Sequence, residues 1–284
     1  MTGTLYIVAT PIGNLRDITL RAVDVLTAAS RILAEDTRRT RALLNHLGIS
    51  GKPVSRFDAH ASDADVSRAI EHLAAGETTA IVTDAGTPVV SDPGSALIRA
   101  AAVRGIPVVP IPGPSALTAA VSISGLVEGP FWFLGFYPRT SKSRDDAAER
   151  IVQTTDPVVF FEAPTRIAKT LSELAVRMPH REAIVARELT KLHEEVLRGQ
   201  LGVIAADAAR EYRGEITVVL GSMTIPKHEA SPGEVQARIF QGLGAGMGSS
   251  EIAEVIRREF GMPKKEAYTR VLQARKSRGA VDDK

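Results

Sequence analysis

The sequence of 284 residues contains no cysteine and only six histidines. The absence of cysteine excludes disulfides, thiolate zinc sites and a cysteine nucleophile. It is typical of proteins of a reducing cytoplasm, where we expect this one to act. The histidines lack the spacing of a zinc site. Neighbouring carboxylates such as Glu35 and Asp36 would point to opposite faces of a strand, so we predict that the protein binds no metal.

Long apolar runs and the common phosphate-binding motifs are also missing. No stretch of about eighteen apolar residues occurs, so we predict no membrane-spanning helix and no membrane partner. The first residues lack the pattern of a signal peptide. There is no G-x-x-x-x-G-K-[ST], and residues 10–14 stand where a G-x-G-x-x-G would follow the first strand. Because the net charge is only +2, any nucleic-acid surface must come from local basic clusters.

The order of apolar runs and helical patterns indicates the fold class. In the first half, short strands alternate with helices, which predicts a parallel sheet with helices on both faces. The second half has longer strands, two of them joined by a hairpin around Lys191, which predicts a mixed sheet. We predict an α/β protein with an N-terminal α/β domain, a second α/β domain and a small helical segment, at residues 1–124, 125–224 and 230–284.

The C-terminal part combines a polar stretch with two helical patterns. Residues 225–248 are rich in Gly, Pro and Ser and are predicted to be partly linker. Two short helices around Gly261 then resemble a helix-turn-helix. Their predicted apolar faces are Ile252, Val255 and Ile256, and Tyr268, Val271 and Leu272. The second helix carries Lys264, Lys265 and Arg270, which suits RNA binding; a solvated helix with a basic end is the alternative interpretation.

Residues 83–94 form the most informative loop of the sequence. A buried strand precedes it, a helical pattern follows, and two glycines and two prolines fall within nine of its residues. A loop at the carboxyl end of a parallel strand is where α/β sheets bind ligands. Residues 10–14, 112–116 and 162–166 form similar loops of small residues. Together they are suited to enclosing a flat, mostly uncharged ligand such as a nucleoside.

Six motifs in order carry a resemblance to a known family. They occupy residues 5–19, 34–38, 84–94, 112–116, 162–166 and 187–191. With them, the sequence resembles the ribosomal RNA small subunit 2′-O-methyltransferase I family, a branch of the tetrapyrrole methylase superfamily. The resemblance implies S-adenosylmethionine as methyl donor, bound in a cleft between the two α/β domains of a homodimer. It implies as acceptor the 2′-hydroxyl of a cytidine in the decoding region of 16S ribosomal RNA.

The resemblance also implies which residues contact the methyl donor. They are Ile12, Asp84, Gly86, Thr87, Val90, Ser115, Ala116, Ala163, Leu189 and Thr217. The sequence departs from the family pattern at Thr83, where glycine is common, at Ala61, where asparagine is common, and at Thr140, where lysine is common. These departures concern the expected RNA contacts more than the donor site.

Methyl transfer from a sulfonium needs neither a metal nor a covalent nucleophile, because the methyl group is already activated. Alignment of donor and acceptor supplies much of the rate, and the weakly acidic ribose hydroxyl must lose its proton. Candidate groups for this step are Asp36, Glu162, Glu188 and Lys191. Each has a structural alternative. Asp36 is equally suited to capping a helix and pairing with Arg38, and Glu162 to capping the next helix. Glu188 and Lys191 are equally suited to a rim ion pair.

Positive charge for RNA is expected in three clusters. Arg38, Arg39 and Arg41 form the first, Arg139 and Lys142 with Arg144 form the second in a predicted polar loop, and the basic C-terminal helix is the third. Tyr137 is a candidate for stacking on a base. Two rival functions remain at this point: methylation of a small tetrapyrrole, and non-catalytic RNA binding by a protein that keeps the nucleoside pocket.

Overall fold

The computed structural model describes residues 2–207, 210–223 and 232–279. The chain divides into two compact units, Met1–Met223 and Thr224–Lys284. Both predicted sheets belong to the first unit, so the division of this unit into domains at residue 124 stays a prediction. In the described ranges, no helix is long and apolar enough to cross a bilayer.

The first sheet of unit one is entirely parallel, as predicted, with the strand order β3-β2-β4-β1-β5. Its strands are β1 Leu5–Val8, β2 Arg31–Ala34, β3 Val54–Arg56, β4 Thr79–Val82 and β5 Val108–Ile111. Its helices are α1 Leu20–Ala28, α2 Thr37–His46, α3 Asp63–Ala74, α4 Ser95–Val103 and α5 Ala116–Ser124, and a 3₁₀ turn covers Leu15–Asp17.

Helices cover both faces of this sheet because the short strands are apolar on both sides. Leu5 and Ile81 pack with Leu97 of α4 on one face, whereas Ile32 packs with Leu26 of α1 on the other. Polar residues start the helices. Thr19 caps α1, Asp36 caps α2, and Ser62 and Asp65 form a capping box on α3. These caps set the points at which the chain leaves the sheet.

The second sheet is mixed, as predicted, with the order β6-β7-β10-β8-β9. Its strands are β6 Trp132–Phe136, β7 Val158–Glu162, β8 Glu182–Arg187, β9 Glu195–Gln200 and β10 Ile216–Leu220, and its helices are α6 Ser141–Gln153, α7 Ile167–Arg177 and α8 Leu201–Ala205. Only β6 and β7 pair in parallel; the other three pairs are antiparallel. One face packs on α6 and α7 through Phe160, Ile151 and Leu171. The other packs on Ala120 of α5 and on Ile12, which joins the two sheets into one unit.

The predicted polar loop around residues 139–144 is wrong, because α6 begins at Ser141. All charged residues of α6 except Arg144 face solvent, while Ala147, Ala148 and Ile151 repeat at helical spacing and are buried. Arg144 is buried too, where its Nη2 lies 2.6 Å from Glu173. Its guanidinium carbon lies 5.0 Å from the centre of the Tyr137 ring. Because Tyr137 is only 1% exposed, the prediction that it stacks on a base is wrong.

In its described residues, unit two is a bundle of three helices, α9 Pro232–Gly244, α10 Ser249–Phe260 and α11 Lys264–Gly279. Of the stretch 225–248 that was predicted to be partly linker, residues 232–244 are helical and residues 225–231 lie outside the described residues. Helix α11 buries Ala267, Val271 and Ala274, whereas the predicted face residues Tyr268 and Leu272 are each 41% exposed. Alanines let α11 approach its neighbours closely, and a pattern based on large apolar residues overlooks them.

Candidate active site

Three loops meet at the carboxyl edge of the parallel sheet, because parallel strands all end on the same side: residues 10–14 after β1 (the first loop), 83–94 after β4 (the central loop) and 112–116 after β5. The fourth predicted loop, residues 162–166, follows β7 of the second sheet. Two backbone hydrogen bonds join the first loop to the central one: Thr10 N donates to Gly86 O at 2.9 Å, and Gly86 N donates to Thr10 O at 3.0 Å. The hydroxyl of Thr10 also donates to Thr83 O at 3.0 Å. Gly86 has a φ of +85°, a left-handed conformation that favours glycine. The central loop is therefore held against the first by its backbone.

A cavity of about 440 Å³ lies within unit one, between the loops of the two sheets. The predicted donor-site residues on its wall are Ile12, Asp84, Gly86, Thr87, Val90, Ser115, Ala116, Ala163 and Thr217. Leu189 is not on the wall; it is buried in the apolar cluster beside it that also contains Ile12. Residues far apart in the sequence thus meet around one space.

Several lining residues were missed by the sequence analysis. They include Glu35, Asp92, Phe136, Phe161, Gly214 and Glu215. Asp92 lay inside the predicted binding loop, so its position was a usable signal. The rings of Phe136 and Phe161 are 5.5 Å apart because β6 and β7 pair in that register. No local pattern predicts that pairing.

Carboxylates form one wall of this cavity. The hydroxyl of Thr83 donates to Glu35 Oε2 at 2.8 Å, a bond that the common glycine could not make. Burial raises the pKa of Asp92 to about 6, and the neighbouring charges of Glu35 and Asp84 add to this rise. Burial also raises the pKa of Asp84. In the part of the chain that the structure describes, no Lys, Arg or His forms an ion pair with Glu35 or Asp92, so the wall has an excess of negative charge.

Glu162 lines the cavity but is engaged in a buried network. It is 2% exposed. Its carboxylate accepts hydrogen bonds from Ala163 N at 2.8 Å and from the Thr170 hydroxyl at 2.7 Å, and it pairs with Arg144 and Arg166. Helix α7 begins at Ile167, and its N-cap residue is Arg166. The alternative that Glu162 caps this helix is therefore wrong. The hydrogen bond from Ala163 N to the Glu162 carboxylate holds the turn at Ala163.

Asp36 lies outside the lining of this cavity and caps α2. Its Oδ1 accepts a hydrogen bond from Arg38 N at 2.8 Å, and the Arg38 side chain donates to both carboxylate oxygens. These bonds lower the pKa of Asp36 to about 2. The capping alternative for Asp36 and Arg38 is therefore confirmed.

Lys191 lies on the hairpin between β8 and β9. Its Nζ lies 2.8 Å from Glu188 Oε1 and 3.3 Å from Glu215 Oε2, and Glu215 lines the cavity. The hydrogen bond from Lys191 lowers the pKa of Glu188. The hairpin also contacts the first loop, because Asn14 N donates to the Thr190 hydroxyl at 3.0 Å. Lys191 and Glu188 are thus an ion pair next to the cavity.

Of the basic residues predicted to bind RNA, only Arg39 lines this cavity in the described part of the chain. Arg39 lines the cavity and lies 3.4 Å from Asp84 Oδ2, with a side chain that is 64% exposed. Arg38 is 88% exposed, and Arg41 bonds to Thr37 and Val54 on the same surface of α2 and β3. Arg139 and Lys142 are exposed at the start of α6. In unit two, Lys264 and Lys265 are exposed and Arg270 pairs with Glu266. Within the described ranges, no cluster of three acidic or histidine side chains could hold a metal ion.

The sequence is similar to a family of known proteins. Residues 4–205 match the family described as Tetrapyrrole (Corrin/Porphyrin) Methylases. The chain is 42% identical over 270 residues to "Ribosomal RNA small subunit methyltransferase I" of Xylella fastidiosa, covering 94% of this chain and 98% of that protein. It is 45% identical over 219 residues to the protein of the same name from Thermotoga maritima, covering 77% and 98%.

Solved structures share the fold at low sequence identity. Uroporphyrin-III C-methyl transferase from Thermus thermophilus, complexed with S-adenyl homocysteine, matches with a TM-score of 0.55 at 19% identity, over 77% of this chain and 97% of that one. Diphthine synthase matches with a TM-score of 0.59 at 18% identity, over 77% and 90%.

The acidic wall predicts how stability depends on pH. Because the pKa of Asp92 in the folded protein is raised to about 6 from 3.8, its ionisation costs folding free energy above pH 6. The cost disappears below about pH 4, where Asp92 is protonated in both states. We expect Asp92→Asn to raise the thermal midpoint of unit one by about 2–4 °C at pH 8, as roughly 1 kcal/mol does for this size. The same substitution should have little effect at pH 4.

The control is Asp24→Asn, at an exposed aspartate of α1. It should change the midpoint by the same small amount at both pH values. An Asp92→Asn effect that is equal at pH 4 and pH 8 would contradict the assignment of a raised pKa.

Proposed function

Since this chain belongs to the tetrapyrrole methylase family, we propose that it methylates 16S ribosomal RNA with S-adenosylmethionine, at the 2′-hydroxyl of a cytidine in the decoding region. The similarity to proteins named ribosomal RNA small subunit methyltransferase I extends over nearly the whole chain and supports an RNA acceptor. The observation that carries the proposal is the 440 Å³ cavity, whose wall includes residues from five of the six sequence motifs. The homodimer and the cytoplasmic location are part of the same proposal.

The cavity suits a nucleoside in shape. Ala85, Gly86, Ala116, Ala163 and Gly214 leave room along its wall, so backbone groups are accessible to a ligand. Its volume falls in the range of small-molecule sites. Phe136 and Phe161 add aromatic surface on the side of the second sheet. When bound there, the donor supplies an activated methyl group; the chain supplies placement and charge.

The acidic wall suits the charge of the donor. S-adenosylmethionine carries a sulfonium and an ammonium against one carboxylate, whereas the demethylated product has lost the sulfonium charge. Glu35 and Asp92, with no ion-pair partner among the described residues, therefore attract the donor more than the product in this partly buried site. This difference favours product release after transfer.

Lys191 is the residue that we propose for stabilising the acceptor oxygen as its proton leaves. Its ammonium is held near the cavity by Glu188 and Glu215, and a fixed cation offsets developing negative charge. Glu188 orients it. Asp36 is committed to its helix cap and Glu162 to its buried network, so for both we propose a positioning role.

Labelled methyl transfer tests the function. Small-subunit particles that lack the modification are incubated with the protein and methyl-labelled S-adenosylmethionine, and the modified nucleotide is identified after digestion. We expect label on the 2′-oxygen of a single cytidine. Label only on a tetrapyrrole precursor, or donor binding without transfer to any acceptor, would refute the proposal.

The Lys191→Met variant tests the catalytic assignment in the same assay. We expect transfer to fall by about 100-fold or more, while the dissociation constant of the donor changes less than about twofold. The control is Lys169→Met, at an exposed lysine of α7. If both variants transfer at the wild-type rate, Lys191 has no role beyond its ion pairs.

The Glu35→Gln variant tests the role of the acidic wall. Removing one negative charge should weaken binding of S-adenosylmethionine by about five- to tenfold and binding of S-adenosylhomocysteine by less than about twofold. Calorimetry with each ligand measures both constants. Glu71→Gln, at an exposed position of α3, is the control. An equal loss for both ligands would show that Glu35 does not select by charge.

A further inference from the structure

A second cavity of about 250 Å³ adjoins the first. It is formed by the first loop, by one side of α2 and by the start of the central loop. Arg39, Thr83 and Asp84 line both cavities and are their common wall. A ligand in the second cavity would therefore lie directly beside a donor in the first.

The second cavity combines apolar sides with a polar end. Pro11, Leu15 and Leu43 provide the sides, and Leu15 is 40% exposed although it is large and apolar. At the common wall, Asp84 is an acceptor and Arg39 is a donor. Apolar sides suit the faces of a flat ring, and the polar end suits a ring edge that carries both a donor and acceptors.

The polar groups at the common wall have capacity left for a ligand. Asp84 Oδ1 accepts a hydrogen bond from Asp36 N at 3.0 Å, which fixes the carboxylate. Its Oδ2 lies 3.4 Å from Arg39 Nη1, too long for a strong hydrogen bond. Across the described ranges, no hydrogen bond from the Arg39 guanidinium is found. One acceptor oxygen and several N–H donors thus remain for another molecule.

Cytosine, the base of the acceptor in the proposed function, matches this arrangement. Its pairing edge places an exocyclic amine next to a ring nitrogen and a carbonyl, so a carboxylate accepts from the amine and an arginine donates to the neighbouring acceptors. Uracil presents a carbonyl where cytosine has the amine, which would face Asp84 with like polarity. The cavity, at about 250 Å³, has room for roughly eight water molecules at about 30 Å³ each, which is more than one planar ring needs.

We propose that the second cavity binds the unstacked cytosine base of the acceptor nucleotide, with Asp84 and Arg39 contacting its pairing edge. This inference rests on the proposed function and names the site of its acceptor. Enzymes that modify nucleotides in RNA commonly bind bases splayed out of the stack, where the pairing edge is accessible.

Filling the cavity tests the proposal. Ala42 lies on α2, lines the second cavity and is absent from the lining of the first. Leucine is a good helix former, so Ala42→Leu is expected to occupy the cavity and keep the helix. The matched control is Asn45→Leu, at an exposed position of the same helix outside the lining.

We expect Ala42→Leu to lower kcat/KM for methyl transfer to small-subunit particles by at least about tenfold. Donor affinity in calorimetry should stay within about twofold, and Asn45→Leu should behave as wild type. If wild type transfers methyl to the RNA and Ala42→Leu transfers equally well, the base does not occupy this cavity, and the proposed function stands. If wild type transfers no methyl to the RNA, both proposals fail.

Base selectivity tests the contact with Asp84. We expect wild type to prefer particles with cytidine over particles with uridine at the modified position by at least about tenfold in kcat/KM. Asp84→Asn should shrink this ratio to below about threefold, because an amide can donate to the uracil carbonyl. The ratio is independent of any change in donor affinity, since both substrates use the same donor. An unchanged ratio would remove Asp84 from base recognition.

Discussion

The paired backbone of Thr10 and Gly86 is the constraint on which both cavities depend. These two hydrogen bonds join the loop after β1 to the loop after β4, so the edge of the parallel sheet becomes one continuous surface. Thr83 extends this surface to the end of β2, since its carbonyl accepts a hydrogen bond from the Thr10 hydroxyl and its own hydroxyl donates to Glu35. The left-handed φ at Gly86 is what lets the chain make this pair and still turn into the loop.

The carboxylates around the cavity have two different roles, depending on whether cationic side chains pair with them. Carboxylates that lack cationic partners among the described residues form a negatively charged wall, whereas the carboxylate of Glu162, buried among Arg144, Arg166 and Thr170, is neutralised and holds the backbone at Ala163. The same residue type therefore serves as an electrostatic surface in one place and as a structural support in another. Burial and partners make this difference, because a buried carboxylate needs compensation.

Much of the fold and part of the candidate site could be predicted from local patterns. The strand at 79–82 and its glycine-rich loop were predicted from a short apolar run and its turn residues, and Asp36 was recognised as a possible cap. Helix α6 was missed because its buried Arg144 and small alanines look polar or neutral in one dimension. Asp92 and Glu35 were not chosen as site residues because the burial of Asp92 and the position of both carboxylates on one cavity wall arise only when distant loops meet.

By itself, the sequence determined the α/β class, the order of strands and helices in the first sheet, and the loops at the strand ends, since periodicity and turn chemistry act over a few residues. Only the tertiary structure decided which of those loops share a cavity, that the hairpin carrying Lys191 lies beside Glu215, and that Arg39 and Asp84 form a wall between two spaces. The physical reason is that sheet order and packing join residues far apart in the chain. Contacts of that kind set burial and charge, and no local window contains them.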